Sequence, residues 1–309
     1  MQDTINLTVR RLLVAQKADV RVPLRRHWTR AKVQYALAVL CLHGGATMPR
    51  SFLYLFVLLA AALAAGAATA ADIKVMISAG FFNVYADLGP AFEKLTGHKL
   101  ITTRGPSVGD SPEAIPTRLT RGEGADVVIM DGTGVDLLDQ RGMTRPGSRM
   151  PLAESFIGMV VRAGQPKPDI STVEAMRKTL LAAKSIAYSD SSSGTYLSTI
   201  GFKKLGVADE IVGKTRKVRG PPSGEPVAAV VARGEAEVGF QQVSELIHVP
   251  GVDFVGTVPS DIQPPTLFVG ALPKNSQQPD LAVALLRFLS SAEAAGVITK
   301  AGLKPLAAR

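Results

Sequence analysis

Four segments rich in Ser, Gly and other small residues have the composition of anion-binding loops. They span residues 78–81, 104–111, 190–196 and 221–225. Each follows a predicted strand or opens a predicted helix, where backbone N–H groups are free to face an anion. Arg104 adds a guanidinium, which suits carboxylate and phosphate groups. The alternative for each segment is an ordinary N-cap or turn, because Ser, Asp and Gly are common there.

The energetics favour capture of an anion in these loops without covalent chemistry. Hydrogen bonds to charged groups contribute roughly 1.5–3 kcal/mol each. About five to seven of them, less the cost of association, reach the ~8 kcal/mol of micromolar binding.

Short β-rich runs alternate with helical periods along the chain. Strands are predicted over 73–78, 99–103, 125–130, 185–189 and 237–242, with extended segments over 156–162 and 266–272. Helices are predicted over 85–96, 114–121, 135–140, 171–183, 195–205, 226–232, 281–289 and 292–300. The helix over 171–183 starts at Ser171-x-x-Glu174, the spacing of a capping box.

This alternation predicts an α/β fold with two lobes, each built on a parallel or mixed sheet that helices cover. The extended segments 156–162 and 266–272 cross between the lobes as a two-strand hinge. Lobe 1 is predicted to comprise 71–155 and 266–309, and lobe 2 to comprise 156–265. In open α/β sheets ligands lie beyond the carboxyl ends of the strands. The four loops all fall there, two in each lobe.

Residues 48–70 predict a secretory signal peptide. Arg50 precedes an apolar run over 51–65, and Ala68-Thr69-Ala70 is a small-x-small cleavage site. A membrane span is the alternative, but the stretch is short and lacks a basic flank after it. Residues 1–47 then form a non-native or disordered extension upstream of Met48. The expected location is the periplasm.

The charge balance of the remaining chain gives no support for nucleic-acid binding. The whole chain is +9, but residues 1–70 hold nine Lys/Arg and two Asp/Glu, which leaves 26 basic and 24 acidic groups after them. Cys41 lies in the same segment, so the mature protein would have no disulfide and no thiol chemistry. His98 and His248 lack metal-ligand spacing, and no cofactor or metal is predicted.

Five segments carry a resemblance to a known family. They are 73–78, 122–129, 185–196, 232–240 and 285–303, and they include Gly-Glu-Gly-Ala-Asp and Arg-Gly-Glu-Ala-Glu-Val-Gly. On these segments the chain resembles, over about 72–306, the molybdate-type periplasmic solute-binding proteins of ABC importers, of the type II periplasmic binding protein superfamily. The resemblance implies a hinge-closing monomer that captures a small anion and delivers it to a membrane permease.

The resemblance also implies a set of ligand-binding positions. The family's first Ser falls at Gly80, with Ser78 and Ala79 beside it, and its second at Ser107 or Ser111. The further positions are Asp131 or Gly132 after the third strand, Ser193, Gly194 and Thr195 in lobe 2, Gly224 and Glu225 at the next helix start, and Gln242 beside Gln241, where the family has a Tyr.

These departures favour an organic di- or tricarboxylate over molybdate, because Arg104 and two amides suit a larger planar acid. A transport binding protein without enzymatic activity is the favoured function. The alternative is an isomerase on the same fold, similar to a periplasmic aconitate isomerase, which moves a double bond by proton abstraction. Asp131, Asp190, Tyr196 and Glu225 are then the candidate bases. A sensor or scavenger is a third possibility.

Overall fold

The strands of the protein form two sheets. A computed structural model describes residues 70–109 and 111–306, so the predicted extension and almost all of the predicted signal peptide lie outside the described residues. The strands are β1 (Asp72–Ile77), β2 (Lys99–Arg104), β3 (Val127–Asp131), β4 (Met150–Ser155), β5 (Ile157–Arg162), β6 (Ile186–Ser189), β7 (Thr215–Val218), β8 (Val238–Gln242), β9 (Val252–Thr257), β10 (Thr266–Ala271) and β11 (Lys304–Pro305).

Helices occupy most of the connections between these strands. They are α1 (Ala79–Thr96), α2 (Ile115–Thr120), α3 (Gly132–Gln140), α4 (Val173–Ala182), α5 (Ser192–Tyr196), α6 (Phe202–Lys204), α7 (Ala208–Ile211), α8 (Val227–Ala232), α9 (Val243–Leu246), α10 (Pro279–Leu289) and α11 (Ala295–Lys300). A π-helical stretch, Leu197–Gly201, joins α5 to α6, and short 3-10 turns cover Val212–Lys214 and Ala292–Ala294.

The first sheet has the strand order β11-β4-β10-β3-β1-β2. β1 pairs in parallel with β2 and β3, and β10 runs antiparallel to both β3 and β4. β1, β2, β3 and β4 therefore point the same way, and their carboxyl ends meet at one edge of the sheet. The second sheet has the order β7-β6-β8-β5-β9. β6 is parallel to β7 and β8, and β5 is antiparallel to β8 and β9.

The chain passes between the two sheets at their carboxyl edges. β4 ends at Ser155 and β5 begins at Ile157, so Phe156 alone separates the two strands. The return runs through residues 258–265, from the end of β9 to the start of β10. We call the sheet of β1–β4, β10 and β11 with its helices lobe 1, and the sheet of β5–β9 with its helices lobe 2.

Helices cover both faces of each sheet, as buried strands require. In lobe 1, Ile73, Val75 and Ile77 pack towards α1 and α10, whereas Met76 packs on the opposite face with α2 and α3. Lobe 2 repeats the arrangement, with α4 and α5 on one face and α8 on the other.

The structure corrects several predicted boundaries. The helix predicted over 85–96 begins six residues earlier, directly after Ser78, and the helix predicted over 135–140 begins at Gly132. The capping box at Ser171 is wrong by one residue, because Thr172 is the N-cap and its hydroxyl accepts a hydrogen bond from the Ala175 N–H at 3.1 Å.

By length and composition, no single helix of the described residues meets the requirements of a membrane span. A bent pair, Pro279–Leu289 with Ala292–Lys300, meets them only when its two parts are taken together.

Candidate functional site

Lobe 1 places four polar residues at one edge of its sheet. Ser78, Arg104, Asp131 and Ser155 lie at the carboxyl ends of β1, β2, β3 and β4. The pairing of Ile77 with Arg104 sets Ser78 beside the end of β2, and β10 begins at the same edge with Thr266 opposite Ser155. The topology therefore puts the predicted residues Ser78, Arg104 and Asp131 at the carboxyl edge of the sheet, and it adds Ser155, which was not predicted.

Lobe 2 presents a corresponding edge, built from the ends of β6, β7 and β8. Ser189 ends β6, Val218 ends β7 and Gln242 ends β8, with the first residue of β5, Ile157, opposite Gln242. Asp190 follows β6 and accepts a hydrogen bond from the Gly220 N–H at 3.0 Å. The two edges meet at the interlobe crossings, and we call the space between them the cleft.

Several polar contacts join the lobes around this cleft. The Ser244 hydroxyl donates to the Gly80 carbonyl at 2.7 Å, and the Asn83 amide donates to the Ser244 carbonyl at 2.9 Å. On the loop after β2, the Glu113 carboxylate accepts a hydrogen bond from the Ser223 hydroxyl at 2.5 Å. Arg219 approaches the same carboxylate at 3.5 Å. The lobes are thus held together at both α1 and the 105–114 loop.

Arg104 is the cation of lobe 1 at this edge. Its guanidinium lies 4.0 Å from the centroid of the Phe82 ring, which supports it by a cation–π contact. Its Nε is buried and has no hydrogen-bond partner among the described residues. Burial lowers the pKa of Arg104, and the Glu245 carboxylate of lobe 2 offsets part of that effect. The guanidinium is therefore half-buried and lacks a partner for a buried donor.

Three further buried polar atoms at the two edges have no partner among the described residues. They are Ser78 Oγ, Ser155 Oγ and Gln242 Oε1. The Gln242 side chain reaches across to lobe 1, where its Nε2 donates to Thr266 Oγ1 at 3.0 Å. Buried polar groups without a partner are uncommon and destabilising. Their location at the facing edges is what a site for a polar ligand requires.

Two of the predicted lobe 1 positions serve the protein itself. The Ser107 hydroxyl accepts a hydrogen bond from the Asp131 N–H at 3.0 Å. The Asp131 carboxylate caps α3, since it accepts from the Gly134 N–H at 3.2 Å and from the Thr133 hydroxyl. Gly132 is the first residue of that helix.

Ala79 and Gly80 lie in the first turn of α1. A Cβ on Gly80 would lie 2.2 Å from Cζ of Phe268, so the position admits no side chain while that ring is in place. The hydroxyl that the resemblance places in this loop cannot come from residue 80.

The polar groups and glycines at the start of the predicted lobe 2 helices are engaged in contacts within the protein. Ser193 Oγ lies 3.0 Å from Ser189 Oγ, and a Cβ on Gly194 would lie 1.7 Å from the Ser189 carbonyl oxygen. The Thr195 N–H donates to Ser191 O at 2.9 Å. The N–H groups of Gly224 and Glu225 likewise donate to Gly220 O and Arg219 O, at 3.1 and 2.9 Å. The three amides of Thr195, Gly224 and Glu225 are therefore already paired.

Two of the candidate bases are engaged elsewhere. The Tyr196 hydroxyl donates to the Ile262 carbonyl at 2.6 Å. Glu225 forms a two-pronged ion pair with Arg233, at 2.6 and 2.7 Å, and this pairing lowers the pKa of Glu225. The low pKa makes the Glu225 carboxylate a weak base, and the Tyr196 hydroxyl is engaged by its hydrogen bond to Ile262. Neither residue is therefore well placed for proton abstraction.

A carboxyl group that the sequence analysis missed lies between these elements. Glu245 is on α9, three residues after β8 ends, and its Oε2 accepts a hydrogen bond from Gln241 Nε2 at 2.5 Å. The pKa of Glu245 is raised to about 7, mainly by burial. The charge of Asp190 acts in the same direction, whereas the Gln241 hydrogen bond and the charge of Arg104 oppose it. An acidic residue in a helix that opens at a carboxyl edge was the available clue.

The site can therefore bind an anion, with a guanidinium from lobe 1 and amide and carboxyl groups from lobe 2. Within residues 70–109 and 111–306, no three His, Cys, Asp or Glu side chains cluster in a way that could hold a metal ion. Two α/β lobes with a polar cleft at their facing carboxyl edges define a ligand-binding protein of the periplasmic type.

Comparison with known proteins agrees with that class. The model of the bacterial extracellular solute-binding protein family matches residues 73–304, and the chain belongs to this family. It is 47% identical over 237 residues to an aconitate isomerase of a Pseudomonas species, covering 77% of this chain and 89% of that protein. It is 28% identical over 252 residues to the molybdate-binding protein ModA of Azotobacter vinelandii, covering 80% and 96%.

Solved structures share the fold. The substrate-binding domain of a putative molybdenum ABC transporter from Clostridium difficile superimposes with a TM-score of 0.58 at 19% identity, covering 77% of this chain and all of that one. The predicted two-lobed α/β fold of the molybdate-binding type is confirmed.

Proposed function

We propose that this protein binds a small organic tricarboxylate of the aconitate class in the cleft and interconverts its cis and trans isomers. The observation that carries the proposal is Arg104, a half-buried guanidinium fixed on Phe82 with an unpartnered buried Nε. The relative named for aconitate isomerase supports this choice of ligand and reaction.

The donors and acceptors of the cleft suit carboxylates better than molybdate. A guanidinium binds a carboxylate with two parallel hydrogen bonds. In this proposal Arg104 binds one carboxylate of the ligand, and Ser78 and Gln242 contact the rest of it. Gly80 adds no hydroxyl, because Phe268 occupies the space of a side chain there.

The test is incubation of the purified protein with trans-aconitate, followed by proton NMR for the cis isomer and calorimetry for binding. We expect the cis isomer to accumulate and the binding of the tricarboxylates to exceed that of molybdate, tungstate and sulfate. Failure of both aconitate isomers to bind would refute the proposal, as would tight and selective molybdate binding.

A second candidate is capture of the same ligand for an ABC importer, with a membrane permease as partner. Family membership favours it, and so does the Glu113–Ser223 contact, which joins the lobes as a capture protein does when it closes. Export by the predicted signal peptide and a monomeric state are part of both candidates. Ligand-induced thermal stabilisation with zero turnover would select this candidate.

A further inference from the structure

Glu245 lies where α9 meets lobe 1. Its neighbour Ser244 donates to the Gly80 carbonyl at 2.7 Å and accepts from the Asn83 amide at 2.9 Å, so two hydrogen bonds hold α9 against the first turns of α1. The position of residue 245 is therefore fixed relative to the loop after β1. A group held on the framework of both lobes keeps its geometry when a ligand binds between them.

The orientation of the Glu245 carboxyl is set by Gln241. Gln241 Oε1 accepts a hydrogen bond from the Val227 N–H at 3.0 Å, so its NH₂ group must face the other way, and it donates to Glu245 Oε2 at 2.5 Å. This leaves the second carboxyl oxygen, Oε1, without a role in that contact. The Gln241 amide thus holds one oxygen, and the other makes no hydrogen bond to the residues that the structure describes.

The charged groups that face Glu245 come from both lobes. Arg104 approaches from the end of β2 and Asp190 from the loop after β6, and both act on its carboxyl by charge. Among the ion pairs of the described part of the chain, none joins Glu245 to Arg104. Because burial raises its pKa to about 7, both its acid and its base forms are populated near neutral pH.

On the basis of the proposed function, we propose that Glu245 is the residue that carries the proton in the isomerisation. Its carboxylate takes a proton from the methylene group of bound aconitate, and the electron pair of the broken C–H bond becomes a new double bond to the central carbon. The electron pair of the original double bond then takes the same proton from Glu245, which forms a C–H bond at the former vinyl carbon. One proton is removed and one returned, so no oxidant or reductant is needed.

Each lobe contributes a different group to this step. The allylic carbanion between the two proton transfers spreads its charge towards the terminal carboxylates, and the Arg104 guanidinium stabilises that charge. The conformation in which the methylene arm is bound decides whether the new double bond is cis or trans. Gln241 is a positioning residue, since it acts through Glu245.

The experiment compares Glu245→Gln and Glu245→Asp with the wild-type protein. The matched control is Glu210→Gln, which removes the same charge from an exposed position on α7. Turnover of trans-aconitate is measured by NMR, binding by calorimetry, and folding by thermal unfolding. We expect Glu245→Gln to lose at least about 100-fold in kcat, the usual contribution of a general base, with binding retained. Glu245→Asp keeps part of the activity.

The pH profile separates a proton carrier from a structural residue. The base acts ionised, so kcat/KM of the wild type should rise with pH through about 7 and then level off. Wild-type turnover that survives in Glu245→Gln would overturn the role of Glu245 and leave the proposed function intact. Absence of wild-type turnover would instead refute the isomerase, and this role with it. A variant that binds no ligand at all would show that Glu245 serves binding, which also contradicts the proposal.

Discussion

Replacing Arg104 tests the cleft most directly. Its guanidinium carbon, Cζ, lies over the Phe82 ring at 4.0 Å from the centroid, which restrains the position of the guanidinium, and its buried Nε has no hydrogen-bond partner among the described residues. Hydrogen bonds to charged groups contribute about 1.5–3 kcal/mol each and two of them on one carboxylate are not fully additive. We therefore expect Arg104→Ala to weaken binding of a tricarboxylate by about 2–3 kcal/mol, or roughly 30- to 150-fold in Kd.

A second substitution and a control make this result specific. Arg104→Lys keeps the charge but loses the planar fork and the stacking on Phe82, so an intermediate loss of about tenfold is expected. Arg287→Ala removes the same charge from an exposed position of lobe 1 and should leave binding unchanged. Calorimetry with both aconitate isomers is the assay. An Arg104→Ala protein that binds them as tightly as the wild type would show that this side chain only faces solvent.

Further predictions concern contacts around the cleft and the stability of lobe 1. Gly80→Ser should lower the unfolding temperature without conferring molybdate binding, since its Cβ would lie 2.2 Å from Phe268, and calorimetry with molybdate checks this. Glu113→Ala should open the lobes of the unliganded protein, seen as a larger radius of gyration in small-angle scattering. The Ser223 hydrogen bond lowers the pKa of Glu113, so in the wild type this contact should hold at neutral pH and be lost only below the ordinary carboxyl range. Asp126→Ala should destabilise lobe 1 by about 3 kcal/mol or more, because three backbone N–H groups bond to that buried carboxylate, and denaturant unfolding measures the loss. An unchanged unfolding midpoint would contradict it.

The fold could be predicted from sequence because its central strands are buried on both faces. Runs such as 75–77 and 127–130 are continuous, apolar and buried, and the helices between the strands have clear amphipathic periods. The strands that escaped prediction are β4, β7, β9 and β11. β7 and β9 lie at the two edges of the lobe 2 sheet, and both include residues that are not fully buried. Edge strands carry weaker apolar patterns, so sequence alone does not distinguish them from loops.

The candidate site was predictable only in part. The rule that ligand sites of open α/β sheets lie beyond the strand ends predicted the positions of Ser78 and Arg104, and the family resemblance predicted that of Gln242. The roles of individual side chains depend on contacts between residues far apart in sequence. Tyr196 is bound by Ile262, 66 residues away, and Gln241 links Val227 to Glu245. No local pattern around residue 245 reveals that a glutamine will bond to it and that an arginine of lobe 1 will act on it by charge.

Hydrogen bonding separates the predicted residues into two groups with different functional weight. Asp131, Tyr196 and Glu225 have their polar atoms occupied by a helix cap, a carbonyl and an ion pair. Using any of them on a ligand would break a protein contact and subtract its energy from binding. Among the described residues, Arg104 Nε and Gln242 Oε1 are buried atoms without such a contact. A ligand that bonds to those two atoms displaces none of the described residues from them, so its interaction energy is not reduced by a lost protein contact. For this reason we expect the cleft to favour a ligand that offers an acceptor to Arg104 and a donor to Gln242.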